Sequence, residues 1–205
     1  MKRLFATVAV LIAAALGLAA CTAHRQPYND QSGWTTLIDG TRASLDNWTT
    51  VGDANWRFEY GNIVADKRAS KITPVLVSKT SYTDFHLRAE FWASPDANSG
   101  IYFRITDPKK VSTAAAYEAN IYDTAANPSF GTGALVGVAT VYPFQKAGGR
   151  WNVMEITAQG NRLTVWLNGS LTVDVVNDKF KSGPIGLQYG QGIMKWRKVQ
   201  IRPIV

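Results

Sequence analysis

The chain has 205 residues, with 22 Lys and Arg against 15 Asp and Glu, a formal net charge of +7 at pH 7. This length suits one domain with a sizeable core. The single cysteine excludes an internal disulfide and a multi-thiolate metal site. The charges are scattered, without a run of five like charges, which argues against a nucleic-acid partner.

Lys2 and Arg3 precede an almost wholly apolar run from Leu4 to Leu18, and Leu18-Ala19-Ala20-Cys21 follows. Basic, apolar and small-residue regions in that order form a secretory signal. The apolar run is shorter than the roughly 20 residues of a membrane-spanning helix. A cysteine directly after Leu-Ala-Ala resembles the lipobox, which implies cleavage before Cys21 and a diacylglycerol thioether on its sulfur. The expected organisation is a lipoprotein signal peptide over 1–20, lipidated Cys21 with a polar tether over 21–33, and one domain over 34–205. Acylation would take the thiol out of chemistry, and loss of Lys2 and Arg3 would leave a mature charge of about +5. Thr22 in place of Asp resembles the sorting pattern for outer-membrane lipoproteins. The expected location is therefore the bacterial cell envelope, with the membrane as a partner through lipid on Cys21.

From Trp34 onward, short segments of alternating polarity are broken by Gly, Asn, Asp and Pro, the pattern of an all-β sandwich. The predicted strands are Trp34 to Ile38, Trp56 to Tyr60, Asn62 to Ala65, Val75 to Ser78, Phe85 to Trp92 and Gly100 to Ile105. They continue with Tyr117 to Asp123, Trp151 to Ala158, Arg162 to Leu167, Ser170 to Val176, Pro184 to Gln188 and Met194 to Pro203. Asn168-Gly169 between two of them is a hairpin signal. The segment Thr124 to Gly149 has no clear periodicity, and a loop of that length in a compact domain usually forms the rim of a site.

Side chains two apart on a strand share a face. Leu87, Ala89 and Phe91 oppose Arg88, Glu90 and Trp92; Ile101, Phe103 and Ile105 oppose Tyr102 and Arg104; Tyr117, Ala119 and Ile121 oppose Glu118, Asn120 and Tyr122. If these strands are neighbours, with Gln188 beside them, one sheet face carries Glu90, Trp92, Tyr102, Arg104, Glu118, Asn120, Tyr122 and Gln188. Carboxylates, a guanidinium, amides and aromatic rings together suit a sugar, whose hydroxyls need paired hydrogen bonds and whose ring needs a flat surface. The plain alternative is the solvated side of a half-buried antiparallel sheet.

Several motifs here carry a family resemblance: Tyr82-Thr83-Asp84-Phe85-His86-Leu87-Arg88-Ala89-Glu90-Phe91, Asn98-Ser99-Gly100-Ile101, Tyr117-Glu118 and Gly131-Thr132-Gly133-Ala134-Leu135. Trp151-Asn152 with Glu155-Ile156, Trp166-Leu167-Asn168-Gly169 and Gly183-Pro184-Ile185-Gly186-Leu187-Gln188 complete the set. In this order they resemble the 3-keto-disaccharide hydrolase domain family over roughly Trp34 to Val205. The resemblance implies a concanavalin-like jelly-roll β-sandwich and hydrolysis, or elimination followed by hydration, of 3-keto-glycosides. A ketone at carbon 3 acidifies the carbon 2 proton, so a base can start the cleavage without the usual pair of glycosidase carboxylates. Glu118 is the expected base, Glu90 the acid or a hydroxyl partner, and Arg104 the enolate stabiliser; Asn120, Gln188, Tyr122, Tyr102 and Trp92 would hold the ring. Asp123 is the reserve carboxylate, read by alternation as inward-pointing.

No cofactor motif stands out. A divalent cation is left open, with His86, Glu90 and Glu118 as its conceivable donors. The chain reads Asn120 where the family has Gln, and Tyr189-Gly190-Gln191 where it often has a His. These departures keep a non-catalytic carbohydrate-binding module, or a structural envelope lipoprotein, as the alternative.

Overall fold

Repeated alternation of apolar and polar residues yields strands with one face fit for a core, and the chain uses them to build two stacked sheets. The computed structural model describes residues 33–69 and 72–204. The expected signal peptide, Cys21 and nearly all of the tether, His24 included, lie outside the described residues.

Thirteen strands form among the described residues. They are β1 (Thr35–Ile38), β2 (Trp48–Val51), β3 (Arg57–Glu59), β4 (Asn62–Ala65), β5 (Val75–Tyr82), β6 (Phe85–Ala93) and β7 (Asn98–Phe103). After β8 (Tyr117–Tyr122) come β9 (Trp151–Gln159), β10 (Arg162–Leu167), β11 (Ser170–Val176), β12 (Gly183–Gln188) and β13 (Met194–Pro203). One sheet has eight strands, ordered β11-β10-β9-β6-β13-β4-β3 with β1 also on β13; the other has five, ordered β2-β5-β12-β7-β8. All their pairings are antiparallel. Two 3-10 turns, Arg42–Asn47 and Pro128–Phe130, are the helical elements among the described residues. The all-β sandwich expected from the sequence is the observed architecture.

Leu87, Ala89 and Phe91 of β6 face Ile101 and Phe103 of β7 and Ala119 of β8 in one core between the sheets. Phe85, Phe103, Tyr117 and Phe180 form a chain of aromatic contacts with ring centroids 5.0–6.0 Å apart. Asn168 and Gly169 both adopt positive φ, 50° and 82°, which a tight two-residue hairpin between β10 and β11 requires.

Two expectations are corrected here. Strand β2 was not predicted; it is four residues long and its Thr49 and Thr50 are exposed, so the alternation is too short to read. More consequentially, β6 lies in the eight-stranded sheet, whereas β7, β8 and β12 lie in the five-stranded one. The polar face of β6 and the polar faces of β7 and β8 therefore point out of opposite sides of the sandwich.

A smaller apolar cluster of Val75, Val77, Tyr102, Ile105 and Ala116 lies on the outer face of the five-stranded sheet, with Val51 and Val111 packed on it. Val111 pins the 106–116 segment over that face. The long loop after β8 is ordered by Asp123, whose carboxylate accepts from Thr132 Oγ1 at 2.6 Å, Ala147 N at 2.9 Å and Gly148 N at 2.7 Å. Asp123 therefore anchors this loop. Backbone bonds from Asn120 N to Ala134 O, Gly133 N to Asn120 O and Val136 N to Glu118 O tie the loop along β8 and cover the edge of the sheet.

Candidate active site

Antiparallel register assembles the site. On the outer face of β7 and β8, Tyr102 lies opposite Glu118, Gly100 opposite Asn120, and Asn98 opposite Tyr122. On the other side Gly186 of β12 faces Tyr102, and two residues further Gln188 projects from the same face. The 106–116 segment, through Ser112 and Thr113, and the long loop, through Phe130 and Val136, raise walls around these side chains. The cavity they enclose measures about 340 Å³, within the range of small-molecule sites.

Among the described residues, Glu118 is the sole carboxylate lining the cavity, and no Lys or Arg lines it. Its residue is 6% exposed, and burial pushes its carboxyl up to about 7, against hydrogen bonds from Tyr102 and Gln188 that pull the other way. Gln188 Nε2 donates to Tyr102 Oη at 3.0 Å, which leaves the Tyr102 hydroxyl hydrogen to donate to Glu118. Burial and the neighbouring Glu118 carboxylate drive the Tyr102 phenol far above its ordinary range, so it stays a donor. Gln188 Oε1 is buried without a protein partner, an acceptor matched to a ligand hydroxyl. Asn120 gives its amide hydrogen to Phe130 O, so it fixes the loop wall as well as lining the cavity.

Gly100 creates the space for the carboxylate. A Cβ on that residue would sit 3.0 Å from Glu118 Oε1 and 3.1 Å from both Glu118 Cγ and Ala119 O. Gly100→Ala is expected to displace the carboxylate and press on the Ala119 carbonyl, lowering any turnover that depends on Glu118 about tenfold and the melting temperature by a few degrees. Steady-state kinetics beside a thermal melt measure both effects.

Of the residues expected to act together, Glu118, Asn120, Tyr102, Tyr122 and Gln188 share this cavity, and Glu90, Arg104 and Trp92 do not. Glu90 lies on the outside of the eight-stranded sheet, 2.7 Å from Arg197 and 4.0 Å from Arg88. Trp92 shares that outer face, with Lys195 Nζ 4.9 Å above its ring. Arg104 departs from the alternation of β7: its φ of 52° turns the side chain inward and puts Ile105 in the outer cluster. Fully buried, it donates to Thr83 O, Gly160 O, Phe180 O and Asp84 Oδ1. His86, Glu90 and Glu118 cannot share a cation, because Glu118 is in the opposing sheet. No group of three His, Cys, Asp or Glu fit to hold a metal occurs among the described residues.

The sequence reading omitted Asn98, Phe130 and the two hydroxyls Ser112 and Thr113. Asn98 shares a face with Tyr102 by simple alternation and was lost because the strand was started at Gly100. Phe130, 46% exposed, lies in the loop marked as a rim, with no periodicity to single it out.

The class these features define is a two-sheet jelly-roll β-sandwich domain with a buried acid in an amide- and aromatic-lined cavity on its five-stranded sheet. The chain belongs to the 3-keto-alpha-glucoside-1,2-lyase-like domain family, whose model matches residues 33–202. A candidate glycosyl hydrolase of Parabacteroides distasonis ATCC 8503 is similar with a TM-score of 0.74 and 16% identity, over 84% of this chain and 94% of that one. A second candidate glycosyl hydrolase from the same organism gives 0.68 and 22%, over 83% and 99%. The carbohydrate binding module CBM66 of Bacillus subtilis gives 0.59 and 18%, over 83% and 95%. At these identities the likeness concerns the fold. No curated protein matches the chain significantly.

Proposed function

We propose that this protein cleaves the glycosidic bond of 3-keto-glycosides by elimination, with Glu118 as the base. The observation that carries the reading is a carboxylate pushed up to about 7 in a cavity whose other described lining residues are neutral and largely hydrogen-bonding. A glycosidase that works by direct displacement needs two carboxylates flanking the bond. A single base suffices when the substrate already carries a ketone, and a base performs best with a pKa near the working pH.

Glu118 takes the carbon 2 proton, and the freed electron pair forms the enolate over carbons 2 and 3. Neutral donors, Asn98, Tyr122 and Thr113 among them, line the cavity in which the enolate would form. The enolate re-forms the carbon 3 carbonyl, a double bond forms between carbons 1 and 2, and the glycosidic oxygen leaves with a proton from water. Glu118 returns its proton to the hydroxide this creates. Water added across the new double bond gives the free 3-keto sugar. Arg104 and Glu90 take no part.

Incubating the purified domain with a 3-keto-disaccharide and with the same disaccharide unoxidised tests the reading. Monosaccharide is expected from the first alone. Release from the unoxidised sugar would point to displacement chemistry, and binding without release to a carbohydrate-binding module. That second reading draws on the neutral lining and the fold shared with CBM66. Anchoring in the cell envelope through lipid on Cys21 is proposed from the resemblance of Leu18-Ala19-Ala20-Cys21 to a lipobox.

A further inference from the structure

The outer face of the eight-stranded sheet, opposite the cavity, has a character of its own. Register brings His86, Arg88, Glu90 and Trp92 of β6 beside Thr157, Glu155, Val153 and Trp151 of β9. On the other side, Arg202 pairs with His86, Lys198 with Glu90 and Lys195 with Trp92. Trp34, just before β1, stacks on His86 with centroids 6.4 Å apart. Three half-buried tryptophans thus span one face, and each carries a cation: Arg202 5.3 Å from the Trp34 centroid, Lys195 4.9 Å from Trp92, and Arg197 4.3 Å from Trp151. Against Arg88, Lys195, Arg197, Lys198 and Arg202, the same strands offer Glu90 and Glu155, so the face is basic.

We infer that this face is a membrane-docking surface that seats the domain on anionic lipid headgroups. Tryptophan with lysine and arginine is the composition that settles at a membrane–water boundary, rings at headgroup depth and cations on the phosphates. A polysaccharide is the poorer occupant, because stacking a sugar needs an open ring and each of these rings already holds a cation. Docked this way, the Glu118 cavity opens on the opposite side, away from the bilayer.

The surface acts without the lipid, so its test is independent of Cys21 and of the chemistry at Glu118. Both sheets and the core between them lie within the domain from residue 33 onward, which can be produced unacylated. Co-sedimentation compares vesicles of phosphatidylcholine with vesicles of phosphatidylcholine and phosphatidylglycerol. Retention is expected on the anionic vesicles alone, weakening as salt rises. Lys195→Gln and Lys198→Gln should each reduce partitioning about fivefold, and Trp92→Ala should reduce it further, while Glu118→Gln leaves it unchanged. Equal partitioning to both vesicles, no partitioning to either, or retention on an insoluble glucan abolished by the same substitutions would overturn the inference. Unchanged melting temperatures separate loss of the surface from loss of the fold.

Discussion

Glu118→Gln is expected to abolish most turnover and, at alkaline pH, to make the protein more stable. Removing a general base typically costs about 10²–10⁴-fold in rate. The stability gain follows from burial. Glu118 ionises at about 7 in the folded chain against an ordinary 4.5, so folding disfavours its charged form. Below the ordinary value the carboxyl is neutral folded and unfolded, and its presence costs nothing. As pH rises toward 7 the unfolded chain ionises first and stability is lost; above 7 the penalty is complete at about 3 kcal/mol. Glutamine keeps the shape and the partners Tyr102 and Gln188 without that charge. The variant should therefore melt roughly 5–10 °C higher than wild type near pH 8 and close to it near pH 4. The wild-type kcat/KM should rise tenfold per pH unit up to about 7 and then level off, as the carboxylate form accumulates. Wild-type-like turnover in the variant, or melting curves separated equally at both pH values, would remove Glu118 from the role of buried base. Catalysis and stability pull on this residue in opposite directions, as active sites commonly require.

The core and the site differ in how far the sequence alone discloses them. Period-2 alternation marks Leu87, Ala89, Phe91, Ile101, Phe103 and Ala119 as inward, and all six are in the core. The same rule places Tyr102, Glu118, Asn120, Tyr122 and Gln188 on polar faces, where they line one cavity. Alternation reports which side of a strand a residue takes and says nothing about which sheet the strand joins. That information is in long-range pairing, β6 with β9 and β13, β7 with β8 and β12, and its absence is why Glu90 and Trp92 were grouped with Glu118. The alternation rule also presumes extended backbone, so it mislabels Arg104, where φ becomes positive and exchanges the faces of Arg104 and Ile105. A loop residue such as Phe130 is held at the cavity by hydrogen bonds to Asn127 and Asn120 that carry no period at all.

Arg104 shows how a residue of catalytic type can belong to the fold. Its guanidinium sits 3.0 Å from Asp84 Oδ1 and donates at 2.9 Å to Thr83 O and Gly160 O, with a longer bond to Phe180 O. Asp84 in turn accepts from Gly160 N at 2.9 Å, so one cation holds the β5–β6 turn, the β9–β10 turn and the segment before β12 together. Burial lowers the pKa of this guanidinium, and the Asp84 carboxylate raises it again; the group remains a cation. Arg104→Met would bury three carbonyls without their donor and strip Asp84 of its counter-ion, which costs about 3–5 kcal/mol. The expected result is a melting temperature lower by roughly 10 °C or more, with kcat per folded molecule unchanged at a temperature where the variant is still folded. Arg104→Lys should recover only part of the loss, since an ammonium cannot reproduce the planar fork that meets these acceptors. Were Arg104 instead the enolate stabiliser, kcat would collapse by about 10²-fold or more with little change in melting. Thermal melts and active-site-normalised rates on the same samples distinguish the two outcomes, and the burial of Arg104 among its four acceptors, outside the residues that line the cavity, favours the first.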